Sequence, residues 1–173
     1  MIETRIPSPA HEEKALSRAL DTVGDGTGTD NHLGNYAAAA QIVRIRPPVS
    51  KTYRINRLIV HYDDNGAFGA TNYGASTGLT IGVKVSKKDA NDIDLIDLTN
   101  GNPIVSNGDW AKVGDVTIQD WGGGDNMLSA TWVFSTPIVL RGYDSESLCV
   151  TLNDDFTGLT QHILTAQGVE IGE

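Results

Sequence analysis

The sequence predicts an all-β fold: a two-sheet antiparallel β-sandwich of the jelly-roll type, carrying an extended N-terminal arm. Eight to ten short segments of β-branched, aromatic or alternating apolar residues follow one another, each closed by Gly, Pro, Asn or Asp. No helical repeat separates them. The stretch TYRINRLIVHYDD at 52–64 has a centre without Gly or Pro. As a strand it sets Leu58, Val60 and Tyr62 on one face and Tyr53, Ile55 and Ile59 on the other. A strand apolar on both faces belongs near the middle of a sandwich. The long loop after it and the unequal strand lengths favour Greek-key crossings over an up-and-down barrel.

Residues 1–36 read as the arm. A short helix is expected over Ser8–Leu20, with Ser8 as N-cap and Pro9 at the first helical position. Ala15, Leu16, Ala19 and Leu20 share its narrow apolar stripe. So short a helix needs a surface to rest on; the segment reads either as a poorly ordered terminus or, the favoured reading, as an arm that orders on a neighbouring subunit. Residues 23–35 hold four glycines and read as loop.

The sandwich is expected over 37–173. Val43 and Ile45 alternate with Arg44 and Arg46 until Pro47-Pro48, which cannot donate to a ladder. The central strand ends at Asp63-Asp64-Asn65-Gly66, and the loop to Gly78 carries Phe68 and Tyr73. Leu79, Ile81, Val83 and Val85 alternate inward. Ile93–Leu98, Ile104-Val105 and Val113–Trp121 follow, with a turn at Asn107-Gly108-Asp109. Leu128, Ala130, Trp132 and Phe134 face the core before a break or an edge at Pro137. Leu148, Val150 and Leu152 point inward, while Ser147, Cys149 and Thr151 point out. Gln161–Ile171 is the last strand.

At 173 residues the chain fits one domain. Thirteen Lys plus Arg against 22 Asp plus Glu give a net charge of -9, which opposes attraction to nucleic acid. No apolar run reaches the ~18 residues of a membrane span. The N-terminus lacks the apolar core of a signal peptide, so folding in a cytoplasm is expected. The single Cys149 allows no internal disulfide and reads as a small structural residue on its strand.

No catalytic set emerges. His11, His32, His61 and His162 have no metal-ligand spacing, and no cofactor motif is present: GDGTG at 24–28 lacks the Lys-Ser/Thr of a phosphate loop. Asp63 and Asp64, with Asp154 and Asp155, end strands and offer oxygens of the kind calcium takes, without an EF-hand spacing. Asp-rich turns are also ordinary turn chemistry, through side-chain bonds to backbone N–H, and that is the favoured reading. Trp110 and Trp121, with Tyr73, suggest an aromatic sugar platform, although Trp at a strand end more often seals the rim of a sandwich. Leu16, Leu20, Tyr36, Phe68, Tyr73 and Trp121 are the candidates for contact with other proteins.

Several stretches together carry a resemblance: GDGTGT at 24–29 leading to Gly34-Asn35-Tyr36; Pro47-Pro48 before YRINRLIVH at 53–61; DLTNGNPI at 97–104 followed by NGDW at 107–110; LNDD at 152–155; LTQH at 159–162; and AQG at 166–168. This pattern, spread over residues 22–170, resembles structural proteins of tailed bacterial viruses. The resemblance implies a virion component with a jelly-roll body and carries over no active-site residue. It implies a capsid decoration or cement protein on the outer capsid surface, a homotrimer bound to the major capsid protein, with no nucleic acid or membrane partner. The alternatives are a tail, neck or fibre-base protein, or a carbohydrate-binding jelly-roll module used in host adsorption.

Overall fold

The computed structural model describes residues 13–21, 41–64, 79–122, 125–154 and 159–172. Within them lie nine strands and one helix: β1 (Glu13–Asp21), β2 (Gln41–Ile45), β3 (Lys51–Asp64), β4 (Val83–Lys88), β5 (Asp94–Asp97), α1 (Asn107–Val113), β6 (Asp115–Gly122), β7 (Asp125–Arg141), β8 (Ser147–Leu152) and β9 (Leu159–Gly172). They form two antiparallel sheets, of order β1-β9-β3-β7-β6 and β2-β8-β4-β5. The stretch at 52–64 is indeed central, paired with β7 on one side and β9 on the other.

The pairing is nested. β1 pairs β9, β2 pairs β8, β3 pairs β7 and β4 pairs β5. The chain thus behaves as one long hairpin folded across two layers, with β6 added beside β7. Ile55, Leu58, Val60, Leu140 and Leu164 of the first sheet and Val85, Leu148, Val150 and Leu152 of the second are fully buried in one core. The strands alternate because one face of each meets that core.

Several expectations change. The helix over Ser8–Leu20 is corrected: from Glu13 onward the chain is strand β1, in register with β9 from Glu13↔Ile171 to Asp21↔Ile163. Leu16 and Leu20, four apart, share a face under either period, and they stand opposite Gly168 and Leu164. A lone helix of this length is marginal, whereas the edge of β9 offers nine paired positions.

The turn at Asn107-Gly108-Asp109 is the first turn of α1. Ser106 caps it, accepting from Asp109 N at 3.2 Å, while Asp109 Oδ2 accepts from Ser106 Oγ at 2.9 Å and Val105 N at 3.2 Å. This is a variant of the capping box, written in the sequence as Ser-x-x-Asp, in which the Asp109 carboxylate takes the N–H of the residue before the cap rather than that of the cap itself. It buries Trp110 to 1% exposure against the core.

Finally, Tyr53 and Ile55 lie on the same buried side as Leu58 and Val60. Asn56 is an extra residue between Ile55 and Arg57, and that bulge inverts the alternation. On β9 the matching step is Gln167 to Gly168, where the backbone comes so close that a Cβ on Gly168 would lie 1.8 Å from the Arg54 carbonyl oxygen. On β7 the pairing jumps from Val133 to Ile138, so Pro137 falls within the offset and the strand continues past it.

Candidate protein-contact surfaces

The outward faces of the two sheets differ in kind. On the four-stranded sheet a charge-paired lattice covers the backbone. Arg44 of β2 donates to both carboxylate oxygens of Asp92 in the β4–β5 turn, the Nη2–Oδ2 bond being 3.0 Å. Lys84 and Lys88 of β4 reach Asp94 of β5 at 2.7 and 2.6 Å, and Lys84 lies 3.6 Å from Asp97.

These contacts set the protonation. The bond from Arg44 holds the Asp92 carboxyl below its usual range, and Asp92 raises the Arg44 guanidinium in return. Lys84 first, then Lys88, holds Asp94 far below it. At Asp97 burial pushes upward, but hydrogen bonds from Thr99 and Gly101 outweigh it and the carboxyl ends lower.

Under this lattice lie Ser86, Ser147 and Cys149, all fully buried although they point away from the core. Cys149 Sγ sits 3.6 Å from Arg44 Nη1 and 3.4 Å from Ser147 Oγ. The long cationic stems provide the cover. Beside it, the β5 edge exposes Ile93, Leu95 and Ile96.

The outward face of the five-stranded sheet is mixed: two arginines and several apolar residues share it with Glu13, Asp115, Thr131, Thr165 and Gln167. Register places Arg57 between Val133 and Gln167, Arg54 between Val139 and Val169, and Ile59 between Thr131 and Thr165. Val133 is 56% exposed, and Arg54 and Arg57 are exposed. Arg57 Nη1 donates to the Gln167 amide oxygen at 3.4 Å. Among the described residues neither arginine has a carboxylate partner. The bulge at Asn56 is what brings Arg57 to this face, beside a shallow hollow of about 250 Å³ lined by Asn56, Arg57, Val133, Gln167 and Gly168.

Two further features lie on the surface of the described residues. Val49 and Tyr143, 71% and 78% exposed, tip the β2–β3 and β7–β8 turns, which abut through Gly142 and Pro48. An open groove of about 560 Å³ runs between the loop after β5 and α1, with Leu98, Pro103, Ile104 and Val113 beneath Asn100 and Lys112. Its Lys112 is paired with Asp109 at 2.6 Å.

The residues singled out from sequence are scattered. Leu16 is buried in its own chain's core, and Leu20 lies in β1 opposite Leu164. Trp121 lies near the end of β6. Tyr36, Phe68, Tyr73 and Asp155 lie outside the described residues, as do His11 and His32. Trp110 is too buried to offer a sugar a stacking face.

Asp63 and Asp64 end β3, opposite Gln161 and Leu159. Asp154 serves the backbone: Oδ1 accepts from Thr80 N and Ile81 N at 2.9 and 3.0 Å, and Oδ2 from Gly82 N at 2.6 Å. A cation at this carboxylate would meet the same N–H groups. Asn153 Nδ2 donates to the Gly82 carbonyl at 2.8 Å, and Gly82 holds a φ of 92°. The clamp turns Ile81 outward to 58% exposure, where the sequence pattern expects it inward.

Among the described residues no three of His, Cys, Asp and Glu are grouped to hold a metal, and no helix is long and apolar enough to cross a membrane. Sequence reasoning missed the arginine face because Asn56 breaks the period there. It missed the β5 edge because pairing partners are not written in the period. No family model, curated protein or solved structure matches this chain.

Proposed function

We propose that this chain is a non-enzymatic virion structural protein with a jelly-roll body, a capsid decoration or cement protein that binds and stabilises the major capsid shell from outside as a homotrimer. The nested pairing β1–β9, β2–β8, β3–β7 and β4–β5 carries the reading. One hairpin folded over two sheets is the jelly-roll plan, which viral capsid and lectin domains share. The sequence resemblance to tailed-virus structural proteins favours the first of these, and the burial of Trp110 speaks against a sugar platform.

The surface supports a contact role. Its apolar residues sit on an outward sheet face, an edge strand and two abutting turns, which suit flat protein–protein contacts better than a small substrate. Repetition over a symmetric shell turns modest single contacts into firm attachment. The net charge of -9 suits an exterior position, away from packaged DNA.

Gold-labelled protein on purified particles tests the reading by electron microscopy. Label over the whole head is expected. Label at one vertex would instead make this a tail or neck protein, and absence from particles would remove the virion assignment.

A further inference from the structure

We propose that the backbone of Thr80, Ile81 and Gly82 is an anion-binding site, which takes a small carboxylate and is filled from within by Asp154. Three successive N–H groups converge there on one side chain. Asp154 Oδ1 accepts from Thr80 N and Ile81 N at 2.9 and 3.0 Å, and Oδ2 from Ile81 N and Gly82 N at 3.2 and 2.6 Å. Converging backbone donors at a turn are a recurrent way to hold an anion. The sequence offers Asp154 as a cation ligand, whereas the geometry makes it the occupant of a site built for anions.

The place of the site in the fold explains its donors. β4 and β8 pair as far as Val83 and Leu152, and there the ladder between them stops. The amides of residues 80–82 come just before that last pair, and Asp154, two residues past the end of β8, supplies their acceptors in place of a strand. Gly82 is buried, so water serves its N–H poorly. Asn153 does not compete for the site, because its Nδ2 donates to the Gly82 carbonyl at 2.8 Å.

Both carboxylate oxygens are used, which selects a planar anion with two acceptor oxygens over a spherical halide. An amide offers only one such oxygen. In a chain of net charge -9 a free anion is repelled from the surface, while a tethered carboxylate is always at hand. The inference rests on the clamp alone, so its failure leaves the proposed function untouched.

Size-matched rescue of the purified full chain tests it. Asp154→Ala keeps the Cβ and leaves a gap the size of formate, whereas Asp154→Gly leaves one that acetate fills. In both variants the amides of Ile81 and Gly82 should lose protection from hydrogen exchange at least about tenfold. Formate should restore a substantial part of it in Asp154→Ala, and acetate should do better than formate in Asp154→Gly. The melting temperature should rise with each matching anion and saturate as binding does. Sodium chloride at the same ionic strength should restore neither variant. Wild type and Asp154→Asn, in which a side chain already fills the gap, should not respond. Should Asp154→Ala be unfolded without an anion, formate but not chloride should refold it. Equal rescue by chloride and formate, an equal response in wild type, or full protection in Asp154→Ala without any anion overturns the proposal. So does a failure of both variants to respond to their matching anions.

Discussion

Lys87 and Glu146 form an ion pair at 2.7 Å with side chains only 10% and 7% exposed. The same carboxylate accepts from the Arg141 backbone N–H at 2.8 Å and lies 3.7 Å from the Arg141 guanidinium. Lys87 belongs to β4 of one sheet and Arg141 to β7 of the other, so one side chain ties both layers together at this end of the sandwich. Glu146→Ala leaves a buried ammonium without its partner, which costs about 3–5 kcal/mol. Replacing both, with Lys87→Met and Glu146→Leu, should recover much of that loss. Chemical denaturation of the two variants checks it, and equal losses in the single and the double change would contradict the account.

Arg44 roofs Cys149 by reaching across β8 to Asp92. Arg44→Ala removes both the ion pair and the cover of the stem. The exposed pair itself contributes little, about 0–1 kcal/mol, so the melting temperature should fall only slightly. The thiol should respond far more. Reaction with a disulfide reagent should be slow in the wild type and at least about tenfold faster in the variant, since reactivity follows access to the thiolate. Equal rates would mean that other groups shield the sulfur.

Asp154 holds the segment before β4 by accepting three successive backbone N–H groups. Asp154→Ala should cost about 1–3 kcal/mol, the range for charged hydrogen bonds lost where the donors are partly resolvated. Hydrogen exchange provides the sharper test: the amides of Ile81 and Gly82 should lose protection while those of Val83 and Val85, held in β4, keep theirs. Gly82→Ala should be at least as damaging. Its φ is 92°, and an added Cβ would lie 2.8 Å from the Ile104 carbonyl oxygen.

These three sites show where the sequence is legible and where it is not. The strands were readable because a buried face imposes a period of two, as in Val83 and Val85 or Leu148, Val150 and Leu152. β1 is ambiguous in the sequence because Leu16 and Leu20, four apart, satisfy both periods, and only the presence of β9 decides between them. α1 hid behind an Asn-Gly pair that signals a turn, although Ser106 and Asp109 already spelled its cap. The arginine face, the Asp154 clamp and the Lys87–Glu146 pair join residues distant in sequence, and no local pattern records such partners. Composition gives an acidic chain, but only register shows that Arg54 and Arg57 share one sheet face.

The outward lattice of the four-stranded sheet makes stability depend on pH in one direction. Asp94 takes charge-assisted bonds from Lys84 and Lys88, which hold its carboxyl well below the usual range in the folded chain. A carboxylate depressed on folding stabilises the fold above its unfolded pKa, near 3.9, and loses that contribution as pH falls toward the folded value. The difference in melting temperature between wild type and Asp94→Asn should therefore be constant from about pH 5 to 8 and shrink below about pH 4, because only the wild type has that charge to lose. Asp92, depressed by Arg44, should behave alike. Taking differences removes the titration of carboxylates common to both chains. A gap that persists unchanged at pH 3 would show that the shape of the Asp94 side chain, and not its charge, supports β5.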